Sequence, residues 1–233
     1  MPGLLAAAWM AMAACVRGVS PAPKTDGVLD VTAFGADATG LRDSTAAIQD
    51  TFTAAAAVAR NSSGAQMERG APLVRFPSGR YAVSDVINIS RFFDSSAPRW
   101  PGDAVALRIE GQGMAALVQA AGSDRGLLFC DQAWRVVVTG LRLSGGRDQL
   151  ALGNNNTGGG ATVRVLDCEF EHASGVAVRH LGPSCTEPVC PFPPFVGSFS
   201  TQLVIRDCVF DFCDQAVVRY ATRYRYPPAQ DVT

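Results

Sequence analysis

Thr162-Val-Arg-Val-Leu-Asp-Cys-Glu-Phe-Glu171 and Gln202-Leu-Val-Ile-Arg-Asp-Cys-Val-Phe-Asp211 lie forty positions apart and read almost as one another. Each has the same tail, Gly175-Val-Ala-Val-Arg-His180 in the first and Gln215-Ala-Val-Val-Arg-Tyr220 in the second. A fainter copy precedes them, Arg135-Val-Val-Val-Thr-Gly-Leu-Arg-Leu143, followed by Gln149-Leu-Ala-Leu-Gly153. Self-similarity at a fixed period marks a solenoid, in which one repeat cannot bury its own apolar face and stacks on the next.

The spacing from Leu141 to Cys168 is 27 residues and that from Cys168 to Cys208 is 40. The longer interval contains Pro183-Ser-Cys-Thr-Glu-Pro-Val-Cys-Pro-Phe-Pro-Pro-Phe-Val-Gly197, which the other copies lack; without those 15 residues 25 remain. The period is therefore 25 to 27 residues. Within a copy, apolar residues alternate: Val163, Val165, Cys168, Phe170, Val176 and Val178, then Leu203, Ile205, Cys208, Phe210, Ala216 and Val218. Alternation over short runs describes half-buried strands, and β-branched residues favour them. The slip through Leu166 and Asp167 implies a bend. Three short strands per period, with coils stacked about 4.8 Å apart, describe an all-β parallel β-helix. The three-to-four spacing of an α-solenoid is absent.

The 233 residues, 48% hydrophobic, suffice for one elongated domain, and the formal net charge of −1 is spread without a basic cluster. That balance argues against a nucleic-acid partner. Leu4 to Val16 is an apolar run ending at Arg17. It is too short to span a bilayer and fits the apolar part of a secretory signal, so residues 1–22 read as a signal peptide or leader and the protein as secreted. A buried N-terminal helix is the alternative. Without Cys15 six cysteines remain: Cys130, Cys168, Cys185, Cys190, Cys208 and Cys213. An even count fits an oxidising compartment. Cys185 and Cys190, in the Pro-rich insertion, are the expected disulfide, whereas Cys168 and Cys208 are expected to stack inward as free thiols on successive coils.

Ahead of the repeats, Val28 to Gln49 reads strand, turn, helix. Asp43 or Ser44 serves as helix N-cap, and Ala47, Ile48, Phe52 and Ala55 form an apolar stripe that fades near Asn61-Ser-Ser-Gly64. Leu73 to Val83 reads as strand, Pro77-Ser-Gly79 turn and strand; Val86 to Ile89 is a further strand, and Ala106 to Gly113 opens the coils. Together Phe34-Gly-Ala36, the turn at Gly40, Asp43-Ser-Thr45, Ala47-Ile-Gln49 and Phe76-Pro-Ser-Gly-Arg-Tyr81 resemble the opening of the pectate-lyase-like superfamily. Its members include polygalacturonase-like, rhamnogalacturonase-like and glucanase proteins and phage tailspikes. The resemblance covers Val28 to Tyr220. It implies a single right-handed parallel β-helix with an N-terminal capping α-helix, in which these opening residues are structural. Ala38-Thr-Gly40 and Asp43-Ser44 replace the Gly-Asp-Gly turn and paired aspartates usual there.

Outward residues stack coil on coil. Aligning the copies puts Arg179 over Arg219, His180 over Tyr220, Glu169 over Val209 and Glu171 over Asp211, with Arg142 one coil earlier on the Glu169 row. Two stacked guanidinium forks match uronate carboxylates, making Arg179, Arg219, His180 and Tyr220 the candidate polysaccharide-binding residues. The plainer alternative is that these charges pair across coils with Asp207, Asp211 or Asp214 and contribute little. Glycoside hydrolysis needs two carboxyls roughly 5 to 9 Å apart, which Glu171 with Asp211, or Asp211 with Asp214, can supply. The Asn-Thr-Asp, Asp-Asp, His-Gly and Arg-Ile-Lys set of polygalacturonases is absent, as is the arginine and calcium-carboxylate pattern of pectate lyases. No metal-ligand spacing or cofactor motif is present, so no cofactor is expected. A solenoid also needs both ends covered, and four or five coils fit in this length. The expectation is a domain over 28–222 that continues into further C-terminal coils or buries its end against a partner, itself included. Two functions follow. The leading one is a secreted hydrolase or lyase on a cell-wall-type polysaccharide. The other is a non-catalytic β-helix that binds polysaccharide or serves a structural role.

Overall fold

Apolar alternation along this chain produces parallel strands that repeat on themselves. The computed structural model describes residues 27–60, 71–89, 107–119, 125–130, 136–152, 163–181 and 203–220. The chain opens with β1 (Val28–Asp30), a 3-10 turn at Val31–Phe34 and helix α1 (Thr45–Arg60). Strands β2 (Leu73–Phe76), β3 (Arg80–Val83), β4 (Ile87–Asn88), β5 (Leu107–Gln119), β6 (Leu128–Cys130), β7 (Val136–Ser144) and β8 (Leu150–Leu152) follow. The two closely matching copies form β9 (Val163–Leu166), β10 (Glu169–Glu171) and β11 (Val176–Leu181), then β12 (Leu203–Arg206), β13 (Val209–Asp211) and β14 (Gln215–Tyr220). Among the described residues all the strand pairs are parallel, in a nine-stranded and a five-stranded sheet. Each of these two copies lays two strands in the first sheet and one in the second, so the expected three strands per repeat are present.

The bends between strands recur in columns. Asp167 and Asp207 take φ of 52° and 55°, and His172 and Phe212 take 55° and 50°. Between β5 and β7 the register shifts where Gly111 faces Gly140. Gly140 has φ 67°, and a Cβ built there would lie 2.5 Å from the Gly111 carbonyl oxygen. The two backbones approach so closely that only glycine fits.

Inward residues form one continuous core. Val163, Val165, Cys168, Phe170, Val176 and Val178 are all buried, and Leu203, Ile205, Cys208 and Phe210 pack against them. Phe170 and Phe210 stack with ring centroids 5.0 Å apart. Three thiols point to a carbonyl of the preceding repeat: Cys168 Sγ to Val138 O at 3.8 Å, Cys208 Sγ to Val165 O at 3.5 Å, and Cys213 Sγ to Phe170 O at 3.5 Å. Burial pushes the Cys168 thiol up to about 12. Cys168, Cys208 and Cys213 are free thiols, so they act as small core-filling groups. The Cys185–Cys190 pair lies outside the described residues.

The register differs from the sequence alignment at one place. Glu169 pairs with Val209 and Glu171 with Asp211, as expected, an offset of 40. Beyond the corner, Val176 pairs with Gln215, Arg179 with Val218, His180 with Arg219 and Leu181 with Tyr220, an offset of 39. Arg179 is therefore not over Arg219, nor His180 over Tyr220. Three residues, Ala173 to Gly175, turn the earlier corner, whereas Cys213 and Asp214 alone turn the later one. Backbone bonds from Asp214 N to Ala173 O (3.0 Å) and Gln215 N to Gly175 O (3.0 Å) fix the shortened path. One residue of slip reverses which side chains face inward.

At the other end, α1 packs Ile48, Phe52, Ala55 and Ala56 into the core. Its start uses both expected residues. Ser44 O accepts from Ile48 N (2.9 Å), which makes Ser44 the N-cap, and Asp43 Oδ1 accepts from Thr45 N (3.0 Å). Asp43 also accepts from Ser84 N (3.2 Å) and Ser84 Oγ (2.7 Å), fastening the loop to the end of β3. Asp37 accepts from Thr39 N, Thr39 Oγ1 and Arg42 N at 2.7 to 3.0 Å. Tyr81, buried beside Phe76, donates its hydroxyl to Pro77 O (2.8 Å). The residues carrying the sequence resemblance thus perform a structural task.

Candidate functional site

Strands β7, β10 and β13 stack in register, so their outward side chains form rows. One row runs Arg142, Glu169, Val209; the next runs Ser144, Glu171, Asp211. Arg142 reaches across both. Its Nη2 lies 2.5 Å from Glu169 Oε2, and its Nε lies 3.6 Å from Glu171 Oε1. Two of the three carboxylates in these rows therefore share one guanidinium. Asp211 and Asp214 are exposed, and among the described residues neither has an ion-pair partner. Glu171 and Asp211 are register partners, so their backbones sit one strand spacing apart, about 4.8 Å.

Immediately beyond this carboxylate row the chain turns, and two rings stack on successive coils. His172 and Phe212 lie with centroids 5.3 Å apart and planes 10° from parallel. Both corners adopt positive φ, which aims the two rings the same way. Phe212 is 76% exposed, so one ring face is covered by His172 and the other is open to solvent. An acceptor-only carboxylate beside an exposed aromatic face can hold a hydrogen-bond donor against a flat apolar or cationic surface.

The second set of expected binding residues is placed differently. Arg179 faces outward on β11, but its Nη2 donates to Asp148 Oδ1 at 2.9 Å. Asp148 also accepts from Val176 N (3.2 Å), so this pair ties a corner to the strand beyond it. His180 is fully buried, because the inward alternation of Val176 and Val178 continues to it. An outward role for the His180 ring does not fit that placement. Arg219 and Tyr220 have their backbones in β14, and their side chains lie outside the described residues.

Glu171 and Asp211 are thus brought together; Asp214 sits at the corner two residues past Phe212; Arg179 and His180 are drawn into structure. Sequence reasoning missed Phe212 and Asp148. The signal for Phe212 lay in the repeat itself, since Phe212 follows Asp211 as His172 follows Glu171. Asp148 had no such signal, because it sits in a corner whose sequence is not repeated.

Among the described residues no group of three or more His, Cys, Asp or Glu side chains is arranged to hold a metal ion. None of their helices is long and apolar enough to cross a membrane. No family model matches the chain, and no curated protein matches it. Among solved structures, PfbA, a surface adhesin of Streptococcus pneumoniae, is similar at 14% identity and a TM-score of 0.38, over 85% of this chain and 40% of the adhesin. ORF18 of Geobacillus virus E2 is similar at 13% identity and a TM-score of 0.33, over 83% of this chain and 48% of the viral protein. The chain spans less than half the length of either. Likeness at this level leaves function to be argued from the site.

Proposed function

We propose that the chain is a secreted, right-handed parallel β-helix over residues 28–222, exported behind a leader at 1–22, that docks an extended polysaccharide. The observation that carries this reading is the carboxylate–aromatic ledge of Glu171, Asp211, His172 and Phe212. Stacked coils repeat their outward groups at strand spacing, which gives a polymer a regular surface to lie along. Carboxylates accept hydrogen bonds from sugar hydroxyls, while an exposed ring covers the apolar face of a pyranose. Arg142 engages Glu169 and Glu171, and Asp148 engages Arg179. This internal pairing favours docking over turnover, because Glu171 is tied into a surface ion-pair cluster.

Hydrolysis is the second reading, favoured by the register pairing of Glu171 with Asp211. Backbones one strand spacing apart let the two carboxyls reach the roughly 5 Å separation that retaining glycosidases use, with one carboxyl as acid and the other as nucleophile. A polysaccharide panel separates the two readings. Docking predicts retention on insoluble polymer or a shift in affinity electrophoresis, with no release of reducing ends or unsaturated uronates. Turnover that disappears in Asp211→Asn while binding persists would transfer the assignment to the enzyme. Failure to bind any member of the panel would remove both.

A further inference from the structure

The ledge carries more negative charge than its neighbours balance. Glu169 and Glu171 share Arg142, whereas exposed Asp211 and Asp214 flank Phe212 in sequence without an ion-pair partner among the described residues. The other nearby exposed pair, Arg206 with Asp207 (3.0 Å), is self-compensated. Phe212, which lies between these two aspartates in sequence, presents a ring that is 76% exposed and backed by His172. An open aromatic face attracts a cation through its quadrupole, and adjoining carboxylates add charge-assisted hydrogen bonds.

We propose that the polymer recognised here is a glycan bearing free amino groups, its ammonium held by Asp211 and Asp214 against the open face of Phe212. This rests on the docking reading above and gives it a ligand chemistry. It also reverses the uronate preference expected from stacked arginines. Arg179 is taken by Asp148, and a uronate carboxylate would meet like charge at Asp211. A neutral glycan keeps the ring contact and hydroxyl bonds but gains nothing from the charge.

The test is titration of the full-length protein with three soluble oligomers of matched length: a glucosamine oligomer, its N-acetylated counterpart and an oligogalacturonate. Polylysine is the fourth ligand. The expected order is amino over acetylated over uronate, with the amino preference shrinking as salt rises. Phe212→Ala should weaken the glucosamine oligomer roughly two- to fivefold, the range of an exposed cation–π contact, and Phe212→Trp should restore it. Asp211→Asn with Asp214→Asn should narrow the preference for the amino over the acetylated oligomer to the roughly two- to fivefold that Phe212 alone supplies. Circular dichroism checks that each variant is folded. Equal affinity of the unsubstituted protein for the amino and acetylated oligomers would overturn the cationic assignment and leave docking intact, as would a preference for the uronate. Binding of polylysine and glucosamine oligomer alike, undiminished in Phe212→Ala, would reduce the effect to bulk charge and overturn it too. Binding of none of the glycans would remove the docking reading itself.

Discussion

At the scale of single residues, Gly140 is the position where sequence freedom is narrowest. A side chain there meets the Gly111 carbonyl at 2.5 Å on a backbone with φ 67°, so both sterics and conformation resist it. Gly140→Ala is expected to destabilise the fold by about 1–3 kcal/mol, the usual penalty for overpacking, read from urea unfolding at constant slope. An unchanged midpoint would mean that β5 and β7 separate freely. Arg142→Ala makes the opposite point. Its ion pairs are partly exposed, so the expected loss is only about 0.2–1 kcal/mol and should shrink in added salt. How much was legible also varies by residue. The inward set from Val163 to Phe170 followed from alternation alone, because a strand with one face buried puts every second residue in the core. The register of Ala216 and Val218 did not, because one residue fewer at Cys213–Asp214 shifts it. Composition does not reveal such a deletion: Val217 and Val218 are both apolar, so either register offers the core a valine.

At the scale of elements, helix α1 and the loop before it close one end of the stacked strands. The helix was readable because its stripe and its capping residues agree on one start. Phe52 is fully buried in the core, and Phe52→Ala is expected to cost about 3–5 kcal/mol in chemical denaturation. The loop adds a pH dependence. Hydrogen bonds from Thr39 hold the Asp37 carboxyl down to about 2, with the Arg42 amide and guanidinium adding to the effect. At Asp43, burial acts to raise the pKa but is outweighed by hydrogen bonds from Thr45 and Ser84. Arg125 holds Asp85 low as well. All three are depressed relative to an unfolded aspartate near 3.9, so the folded state binds fewer protons. Their contribution is present above that value and is lost as pH falls through the lowered folded values, about 2 at Asp37. Thermal midpoints should therefore decline most steeply between about pH 4 and 2. Asp43→Asn should lower the midpoint at neutral pH and flatten that decline; a parallel displacement at every pH would show that Asp43 acts without its charge.

At the scale of the whole molecule, the described strands pair with their counterparts in the adjacent repeats, so interfaces between neighbouring repeats supply a large share of stability along the shared core. Architecture was legible for that reason: a repeat written several times states its period even where each strand is too short to be assigned alone. The ledge was only half legible, since its carboxylates align in the repeat but its charge balance depends on Arg142 reaching across two rows. The same nearest-neighbour logic predicts a gradient. Phe170 is fully buried between Leu143 and Phe210, whereas Phe210 and its companions Leu203 and Ile205 are only partly buried, and Val217 is 42% exposed. Amide exchange should accordingly be slowest in β7, β9 and β10 and faster in β12, β13 and β14, where opening exposes less new apolar surface. Phe170→Ala should cost about 3–5 kcal/mol, Phe210→Ala distinctly less, and the second substitution should accelerate exchange in β12 to β14 while leaving β5 and β7 nearly unchanged. Uniform acceleration from β2 to β14 in Phe210→Ala would show that the coils unfold as one unit, and the ledge at Asp211 and Phe212 would then inherit the rigidity of the entire stack.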